Sequence, residues 1–408
     1  MAWEKVKLGD VCKIGDGAHA SLKRLSHGIP YLTAKNLTRN GIDVQNLDFI
    51  DETTYNKHFK ESSIALTRPQ KDDILYSIIG SIGGVYLVKD EKIGISSSVA
   101  IFRSNPSTLI SKYLYYYLKS SLFDSQIQAI KGGVAQGFMS LSKLSSIEIS
   151  YPLEIKTQQK IADILSAYDD LIENNQKQIK LLEEAAQRLY KQWFIDLRYP
   201  GHETTKIVDG LPEGWKTVQI QDVCKNIGAG GTPSRSQKNF WENGNIDWFK
   251  TQELCDCWLF EASEKISEEG LKRSAAKMFP ANSILMAIYA SPTLGRLGIL
   301  TKEACSNQAA LCLQADESKV SNYWLYLKLF ELRDRFNSIA RGAGQQNISG
   351  IIVKETEITL PAYSVMENFT EMVKPFFEMQ RTLQIQNKSL TQTRDRLLPK
   401  LMNGELEI

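Results

Sequence analysis

Two stretches of the chain carry apolar residues at alternating steps of four and three positions. This spacing lines apolar side chains along one face of a helix and is typical of a coiled-coil seam, with charged residues on the solvent side. The sequence therefore predicts two long helices that pack on each other. The seam positions are Ile161, Leu165, Tyr168, Ile172, Asn175, Ile179, Leu182, Ala186, Leu189 and Trp193 in the first stretch, and Phe369, Val373, Phe376, Gln380, Leu383, Asn387, Leu390, Arg394, Leu397 and Leu401 in the second.

Polar residues interrupt both seams, and a polar seam residue costs stability but often fixes the register. If the helices run antiparallel with their midpoints aligned near residues 177 and 385, Asn175 faces Asn387. The alternative is that each asparagine lies where the seam widens. Pro375 lacks a backbone N–H, so the second helix either starts near it or kinks there.

The chain also repeats itself outside the predicted helices. The run from Trp3 to Lys13 is identical at six of eleven positions to the run from Trp215 to Lys225. Shorter matches follow in the same order at offsets of 209–217 residues, and the last of them aligns Tyr151-Pro152 with Leu360-Pro361. Collinear matches over this length indicate a duplicated unit in which a domain precedes a helix.

Each copy mixes short β-rich runs with turn residues and one amphipathic helix. In the first copy the predicted strands are 74–79, 85–88 and 147–151, and the predicted helix is 111–130. This mixture predicts an α+β fold: two similar domains joined by two long helices that form an antiparallel coiled coil, with an internal pseudo-two-fold repeat. The predicted boundaries are 1–152 for the first domain, 153–200 for a central helical spacer, 201–361 for the second domain and 362–408 for a C-terminal helical spacer.

Composition sets limits without pointing to one function. The 408 residues are 42% hydrophobic and 24% charged, which is typical of a folded protein with two or more domains. A net charge of +2 excludes nucleic-acid binding through overall charge but not through local basic patches. The polar N-terminus and the absence of an apolar run of about 18 residues predict a cytoplasmic protein. Six cysteines without a Cys-x-x-Cys pair are expected to be reduced thiols.

The predicted architecture suggests duplex DNA as a partner. Two similar, non-identical domains at opposite ends of an antiparallel helix pair would be related by a pseudo-two-fold axis, which matches the local symmetry of DNA. A helix over 161–193 would span roughly 50 Å at about 1.5 Å per residue. This is more than the roughly 34–36 Å of one DNA turn. The sequence therefore predicts a split, asymmetric target whose gap is set by the helices.

Three motifs carry a resemblance to a known family. They are Gln-Lys-Ile-Ala-Asp-Ile-Leu-Ser at 159–166, Arg-Leu-Tyr-Lys-Gln-Trp-Phe at 188–194 and Leu-Leu-Pro-Lys-Leu-Met-Asn-Gly-Glu at 397–405. With the duplicated layout, they resemble specificity subunits of type I restriction-modification systems over essentially the whole chain. The resemblance implies two target-recognition domains that bind double-stranded DNA as part of host defence.

The same resemblance implies partners and a division of labour. The helical regions would dock DNA methyltransferase subunits, with two expected, and restriction (translocase) subunits would join the complex. The chain itself would be a non-catalytic subunit without a cofactor, since S-adenosylmethionine, ATP and Mg²⁺ would belong to the partner subunits.

Candidate DNA contacts follow from side-chain chemistry, because recognition domains vary strongly within the family. Lys and Arg suit phosphates, whereas Arg, Asn, Gln, Ser and Thr can read base edges. Residues 17–41 and 223–241 contain no Asp or Glu and are the leading loops, followed by glycine-rich turns at 131–136 and 341–347. The candidates are Lys23, Arg24, Lys35, Asn36, Arg39, Ser97, Ser98, Lys131, Gly132 and Gln136 in the first domain, and Thr232, Ser234, Arg235, Lys238, Lys250, Gln252, Arg296, Asn307, Gln308, Arg341, Gly342, Gln345, Gln346 and Asn347 in the second. Each of them, taken singly, could instead be a solvated loop residue.

Signals for other chemistry are weak. The glycine clusters at 15–17, 80–84 and 228–231 lack the spacing of phosphate loops and are interpreted as turn glycines. No metal site is expected, since the histidines are scattered and Cys255-Asp-Cys257 has no second ligand pair nearby. The stripe of Tyr113, Tyr116 and Tyr117 is interpreted as helix core rather than as a base-stacking platform.

Two other functions stay open. One is the specificity portion of a fused DNA methyltransferase or nuclease, against which the missing catalytic motifs argue. The other is a coiled-coil scaffold that binds only protein and not DNA.

Overall fold

The computed structural model describes residues 2–39, 41–44, 46–61, 65–131, 137–289, 293–341 and 347–408, without the side chains of Lys131 and Arg341. The chain forms two compact units, Met1–Glu173 with Asn387–Ile408 and Asn174–Gln386. Each unit combines an α+β domain with segments of both long helices. The boundaries of the two units differ from those of the four predicted segments. The predicted boundaries stay a prediction.

The first unit is built from short strands and helices. Its strands are β1 (Trp3–Lys7), β2 (Cys12–Asp16), β3 (Ile29–Leu32), β4 (Leu37–Thr38), β5 (Gly41–Ile42), β6 (Asp48–Ile50), β7 (Ile74–Ser77), β8 (Val85–Leu87), β9 (Gly94–Ile95), β10 (Val99–Ser104) and β11 (Glu148–Pro152), and its short helices are α1 (Leu8–Val11), α2 (Glu52–His58), α3 (Ser111–Lys119), α4 (Ser121–Lys131) and α5 (Leu141–Ser145).

The described residues of the first unit form four sheets, of which the smallest pairs β4 with β5. The first strand, β1, pairs antiparallel with the last, β11, with Trp3 opposite Pro152. A four-stranded antiparallel sheet has the order β2-β10-β7-β8. A three-stranded sheet has the order β6-β3-β9, with β3 antiparallel to β6 and parallel to β9.

The second unit repeats this plan. Its strands are β12 (Ile207–Val208), β13 (Leu211–Pro212), β14 (Lys216–Gln219), β15 (Cys224–Ala229), β16 (Ile246–Phe249), β17 (Cys257–Leu259), β18 (Lys265–Ile266), β19 (Ile284–Ala287), β20 (Leu297–Leu300), β21 (Cys305–Ser306), β22 (Ala310–Ala315) and β23 (Glu357–Leu360). Its short helices are α7 (Glu268–Lys272), α8 (Asn322–Glu331), α9 (Arg333–Arg341) and α10 (Gly350–Glu355). The two long helices, α6 (Ile155–Tyr190) and α11 (Tyr363–Met402), contribute segments to both units.

The sheet orders of the two units correspond. In the second unit β14 pairs with β23, the larger sheet has the order β15-β22-β19-β20-β17, and the small sheet has the order β18-β16-β21. The only addition to the larger sheet's order is the parallel edge strand β17. The predicted α+β fold and internal repeat are confirmed.

The central strands are buried on both faces, because alternate residues of a strand point to opposite sides of its sheet. Ile74 and Tyr76 of β7 enter a core shared with the helices, whereas Leu75 enters a second core beneath the small sheet. In the second unit Ile284 and Leu285 of β19 divide in the same way. The small sheet of each unit is therefore held against the larger sheet by its own apolar core.

The prediction of one helix over 111–130 was wrong, because α3 and α4 are separate helices. Ser120 lies between them with extended backbone (φ −78°, ψ 155°). Its hydroxyl donates to the Tyr117 carbonyl at 2.6 Å, which offers the backbone an alternative to helical bonding. The tyrosine stripe is core, as predicted, since Tyr113, Tyr116 and Tyr117 are at most 3% exposed.

The long helices follow the seam prediction closely. None of the predicted seam residues within the described part of the chain is exposed, and Ile161, Leu165, Trp193, Leu383 and Leu401 are fully buried. Helix α6 ends in a π-helical turn at Lys191–Ile195. Among the described residues, no helix is both long and apolar enough to cross a membrane.

Within each unit the helix segments run antiparallel. In the first unit Arg394 Nη1 donates to Asp169 Oδ1 at 2.5 Å. In the second unit Asn175 Nδ2 donates to Gln386 Oε1 at 3.4 Å. Both pairs lie within one residue of the predicted register. Asn387 belongs to the other unit from Asn175, so the asparagine pairing itself stays a prediction.

Pro375 does not mark the start of the second long helix, which begins at Tyr363. The alternative start near Pro375 was therefore wrong. Pro375 has no backbone N–H to donate to the Glu371 carbonyl one turn earlier. Both residues lie on the exposed side of the helix. Water can satisfy that carbonyl there, so the helix continues.

Candidate nucleic-acid interface

An arginine lies over the small sheet of the first unit. Arg24 comes from the loop between β2 and β3, and its guanidinium carbon is 4.3 Å from the centre of the Tyr31 ring. Its Nη1 donates to Asp48 Oδ2 at 2.6 Å. Tyr31 and Asp48 are register partners on β3 and β6. The tyrosine is 1% exposed, whereas the Arg24 and Asp48 side chains are 39% and 49% exposed.

The second unit carries the corresponding arginine. The guanidinium carbon of Arg235 lies 3.6 Å from the Trp241 ring centre and 5.2 Å from that of Trp248. Its Nη1 is 2.5 Å from Glu264 Oε2, and Lys250 Nζ is 2.7 Å from Glu264 Oε1. Hydrogen bonds from Arg235 and then Lys250 lower the pKa of the Glu264 carboxyl. Two candidate cations are therefore gathered on one carboxylate.

Among the other first-unit candidates, Lys23 and Lys35 are exposed. Arg39 is 67% exposed but forms an ion pair with Asp124 of α4. Ser97 and Ser98 are half-buried, and Ser98 Oγ accepts a hydrogen bond from the Ala34 N–H at 2.9 Å. Ser98 therefore stabilises the turn that carries Lys35.

Asn36 has a structural role in the same turn. Its side chain is 6% exposed, accepts a hydrogen bond from the Thr33 N–H at 2.9 Å and donates to the Asn46 carbonyl at 3.2 Å. Glu253 caps the corresponding turn by accepting from the Lys250 N–H at 2.8 Å. An amide used in this way argues against Asn36 as a direct base contact.

The other second-unit candidates fall into two groups. Ser234, Lys238, Gln252 and Gln308 are exposed, and Thr232 donates a hydrogen bond to Gln308. The second group is only partly exposed. It comprises Arg296, Asn307 and Asn347.

The glycine-rich turns lie largely outside the described residues. This applies to the Lys131 and Arg341 side chains and to Gly132, Gln136, Gly342, Gln345 and Gln346. Their predicted DNA contacts stay predictions.

Two glycines support the base of the arginine loops. A Cβ on Gly17 would lie 2.1 Å from the Ile95 carbonyl oxygen, and one on Gly230 would lie 2.2 Å from that of Ser306. Neither has a left-handed backbone, and close backbone approach is the reason for glycine at both positions. Gly80 (φ +72°) and Gly83 (φ +111°) do have the left-handed conformation expected in turns.

The partners of the two arginines are not among the predicted site residues. Asp48 and Glu264 lie outside the acid-free stretches that predict DNA contacts, and the rings of Tyr31, Trp241 and Trp248 lack the side-chain chemistry that marks a candidate. The repeat offers a signal that could have found them, because Tyr31 aligns with Trp248 in the matched segments.

Comparison with known proteins decides the family. The profile of the type I restriction modification DNA specificity domain matches residues 2–184 and 212–392. The chain belongs to this family. As a type I specificity subunit it is non-catalytic and serves DNA sequence recognition. The two matches correspond to the two copies of the repeat.

Relatives and a solved structure agree with the family. The specificity subunit of the type I restriction enzyme MjaIX from Methanocaldococcus jannaschii is 28% identical over 421 residues, covering 100% of this chain and 94% of that protein. The specificity subunit of the HindI enzyme from Haemophilus influenzae is 26% identical over 404 residues, covering 83% and 87%. The crystal structure of the S subunit of a type I restriction-modification system from M. genitalium has the same fold, with a TM-score of 0.59 at 17% identity and coverage of 98% and 96%.

Proposed function

We propose that this specificity subunit reads a bipartite, asymmetric site on double-stranded DNA, with one half-site for each unit. The observation that carries the proposal is that the two units have corresponding sheet orders but different loops. Equal folds suit two half-sites of similar groove geometry, whereas the differing side chains around Arg24 and Arg235 suit different bases.

The surface around each small sheet supports this assignment. The first unit presents Lys23, Arg24 and Lys35, and the second presents Arg235, Lys238 and Lys250. Cations position a protein on phosphates, and arginine can also read guanine. The exposed amides Gln252 and Gln308 add donors and acceptors for base edges.

We further propose that the subunit acts in a complex with methyltransferase subunits, two of them, and with restriction subunits. The names of its relatives as specificity subunits of type I restriction enzymes support this assembly. In it, S-adenosylmethionine, ATP and Mg²⁺ serve the partners and not this chain. A cytoplasmic location remains part of the proposal.

Genome-wide mapping of methylated bases, with and without this gene, tests the proposed function. We expect a bipartite motif with two unlike halves that disappears when the gene is deleted and returns when it is restored. An unchanged methylation pattern would favour the protein-binding scaffold. Methylation or cleavage of DNA by the purified chain alone would favour the fused enzyme.

A further inference from the structure

Each unit holds an arginine and a carboxylate beside an aromatic ring of its small sheet. We name Arg24, Tyr31 and Asp48 the first cluster, and Arg235, Trp248 and Glu264 the second cluster. Tyr31 and Trp248 occupy the same position of the central strands β3 and β16. Asp48 pairs with Tyr31 in register, and the Glu264 carbonyl accepts from the Trp248 N–H at 3.0 Å. The two acids therefore lie at equivalent places beside the ring.

The surroundings of the clusters differ, although the clusters themselves recur. The loop that supplies Arg24 reads Ala-His-Ala-Ser-Leu-Lys-Arg, and the loop that supplies Arg235 reads Gly-Gly-Thr-Pro-Ser-Arg. An exposed ion pair adds little stability, so stability alone is a weak reason for the same cluster on two different loops. A shared function explains the recurrence better.

In each cluster the carboxylate is the partner of the arginine that DNA can replace. The Tyr31 ring covers a face of the Arg24 guanidinium at 4.3 Å. The ring nearest the Arg235 guanidinium is that of Trp241, at 3.6 Å, with Trp248 at 5.2 Å. In each cluster at least one N–H of the guanidinium edge is directed at a carboxylate oxygen. The phosphate group and the O6/N7 edge of guanine present paired acceptors that suit the same planar fork. Since the acids are partly exposed, DNA can approach and replace them.

We propose that Arg24 and Arg235 are equivalent DNA contacts, one in each unit, and that Asp48 and Glu264 hold them in position until acceptors on the DNA displace the carboxylates. This inference rests on the proposed function. The carboxylates also weaken binding to DNA that lacks the motif, because an arginine leaves its acid only for a pair of acceptors with suitable geometry. In the second cluster Lys250 remains on Glu264 after Arg235 leaves.

The test replaces each arginine by methionine in the full chain. Arg24→Met and Arg235→Met are introduced separately at the native gene, methylated bases are mapped, and the tagged complex is purified. Its affinity is measured on a duplex carrying the wild-type motif and on duplexes with one half scrambled. We expect each variant to bind the motif about 5- to 150-fold more weakly, the range for loss of one bidentate contact.

The two variants should act on different halves of the motif. If the arginines contact bases, scrambling one half should weaken binding less after Arg24→Met than it does in the wild type, and scrambling the other half should weaken it less after Arg235→Met. Relaxed choice at a G·C pair identifies a guanine contact. An unchanged motif with a salt slope smaller by about 1 identifies a phosphate contact. Either result supports the inference.

Controls separate this role from folding. Arg68→Met removes an arginine that lies 5.6 Å from the Tyr55 ring and pairs with Glu61 in the first unit. Arg273→Met removes one that pairs with Glu269 on α7 in the second. Both should bind as wild type does. Arg24→Lys and Arg235→Lys keep the charge and the ion pair but lose the planar fork, so they too should weaken motif binding. They replace the methionine variants as the test if those variants unfold.

Substitution of an acid of the clusters provides an independent test. Asp48→Asn should raise affinity for a fully scrambled duplex several-fold, because Arg24 loses its carboxylate and the surface gains one positive charge. The inference is overturned if all four arginine variants of the clusters bind the motif as wild type does, or if the controls lose as much. A wild-type complex that does not discriminate the motif from scrambled DNA would overturn the proposed function itself, and the inference with it.

Discussion

Burial controls the reactivity of the cysteine thiols. It raises the pKa of Cys12, Cys224, Cys257 and Cys305 to about 12 and that of Cys312 to about 11. A thiol reacts with alkylating and disulfide reagents as the thiolate, so these groups are unreactive at neutral pH. Cys255 differs because it is exposed.

We predict that one thiol of the native chain reacts quickly with a disulfide reagent at pH 8, and that this thiol is Cys255. Cys255→Ser should abolish the fast phase, and Cys257→Ser should leave it unchanged. All the thiols should react after denaturation. A fast phase that persists in Cys255→Ser would contradict the assigned burial.

Glu183 makes the second unit sensitive to pH. Burial, followed by the nearby charges of Asp256 and Glu184, raises its pKa from 4.5 to about 7, against the lowering effect of Lys180. The folded state therefore binds this proton more tightly than the unfolded chain does. The resulting stabilisation is full below pH 4.5 and is lost as the pH rises towards 7.

We predict that Glu183→Gln stabilises the protein at pH 8, where the wild type must bury a carboxylate. The expected gain is about 1–3 kcal/mol, with little difference at pH 4.5. Thermal unfolding at both pH values measures it. The neighbouring Glu184 is exposed, so Glu184→Gln is the matched control and should show a much smaller pH-dependent change.

At the residue scale, chemistry alone could not separate DNA-facing groups from structural ones. Asn36 and Lys35 are neighbours in sequence, yet the asparagine caps its own turn while the lysine is exposed. The distinction depends on the direction of each side chain, which the turn sets. The acids of the two clusters were missed because each lies far in sequence from its arginine, Asp48 by 24 residues and Glu264 by 29.

At the element scale, the buried stripe of α6 can be compared with its solvent side in the first unit. Leu165 is 0% exposed in the core shared with the domain, whereas Leu171 on the same helix is 51% exposed. Deletion of a buried leucine side chain removes apolar contacts and leaves a cavity.

We predict that Leu165→Ala lowers the free energy of unfolding by about 2–5 kcal/mol. Leu171→Ala should change it by less than about 0.5 kcal/mol, as is usual on the surface. Chemical denaturation monitored by circular dichroism gives both values. Equal effects of the two substitutions would show that the predicted seam does not carry the packing.

Elements with a local pattern were predictable, and elements that depend on distant partners were not. The seam spacing is a pattern within one continuous stretch of sequence, so α6 and the seam positions of α11 could be predicted from it. The break at Ser120 depends on one hydroxyl bonding to the Tyr117 carbonyl. The sheet orders depend on which distant strands pair, which the duplication reveals as a repeat but not as a topology.

At the scale of the whole molecule, the sequence predicts that the long helices set the gap between half-sites. Insertion of seven residues after Asn174 and seven before Asn387 keeps both seams in phase. We predict a gap longer by about three base pairs, since seven helical residues add about 10 Å and a base pair rises about 3.4 Å. The bases of both half-sites should stay the same.

Methylation mapping in cells that carry the insertion measures the gap. Insertion into α6 alone is the control, because it shifts one seam against the other and should reduce methylation at any gap. A motif with its original gap in the doubly extended protein would show that something other than helix length fixes the spacing.

In the first domain the first strand pairs with the last, β1 with β11, and in the second domain β14, which follows the small hairpin β12-β13, pairs with the last strand, β23. The polypeptide thus enters and leaves each domain through neighbouring backbone positions. A recombination event that replaces everything between those two strands joins new chain to old at two neighbouring points, and the incoming segment must still fit the core that the domain shares with the helices. If each domain reads its own half-site, as proposed, a lineage acquires a new DNA target by exchanging a single gene segment.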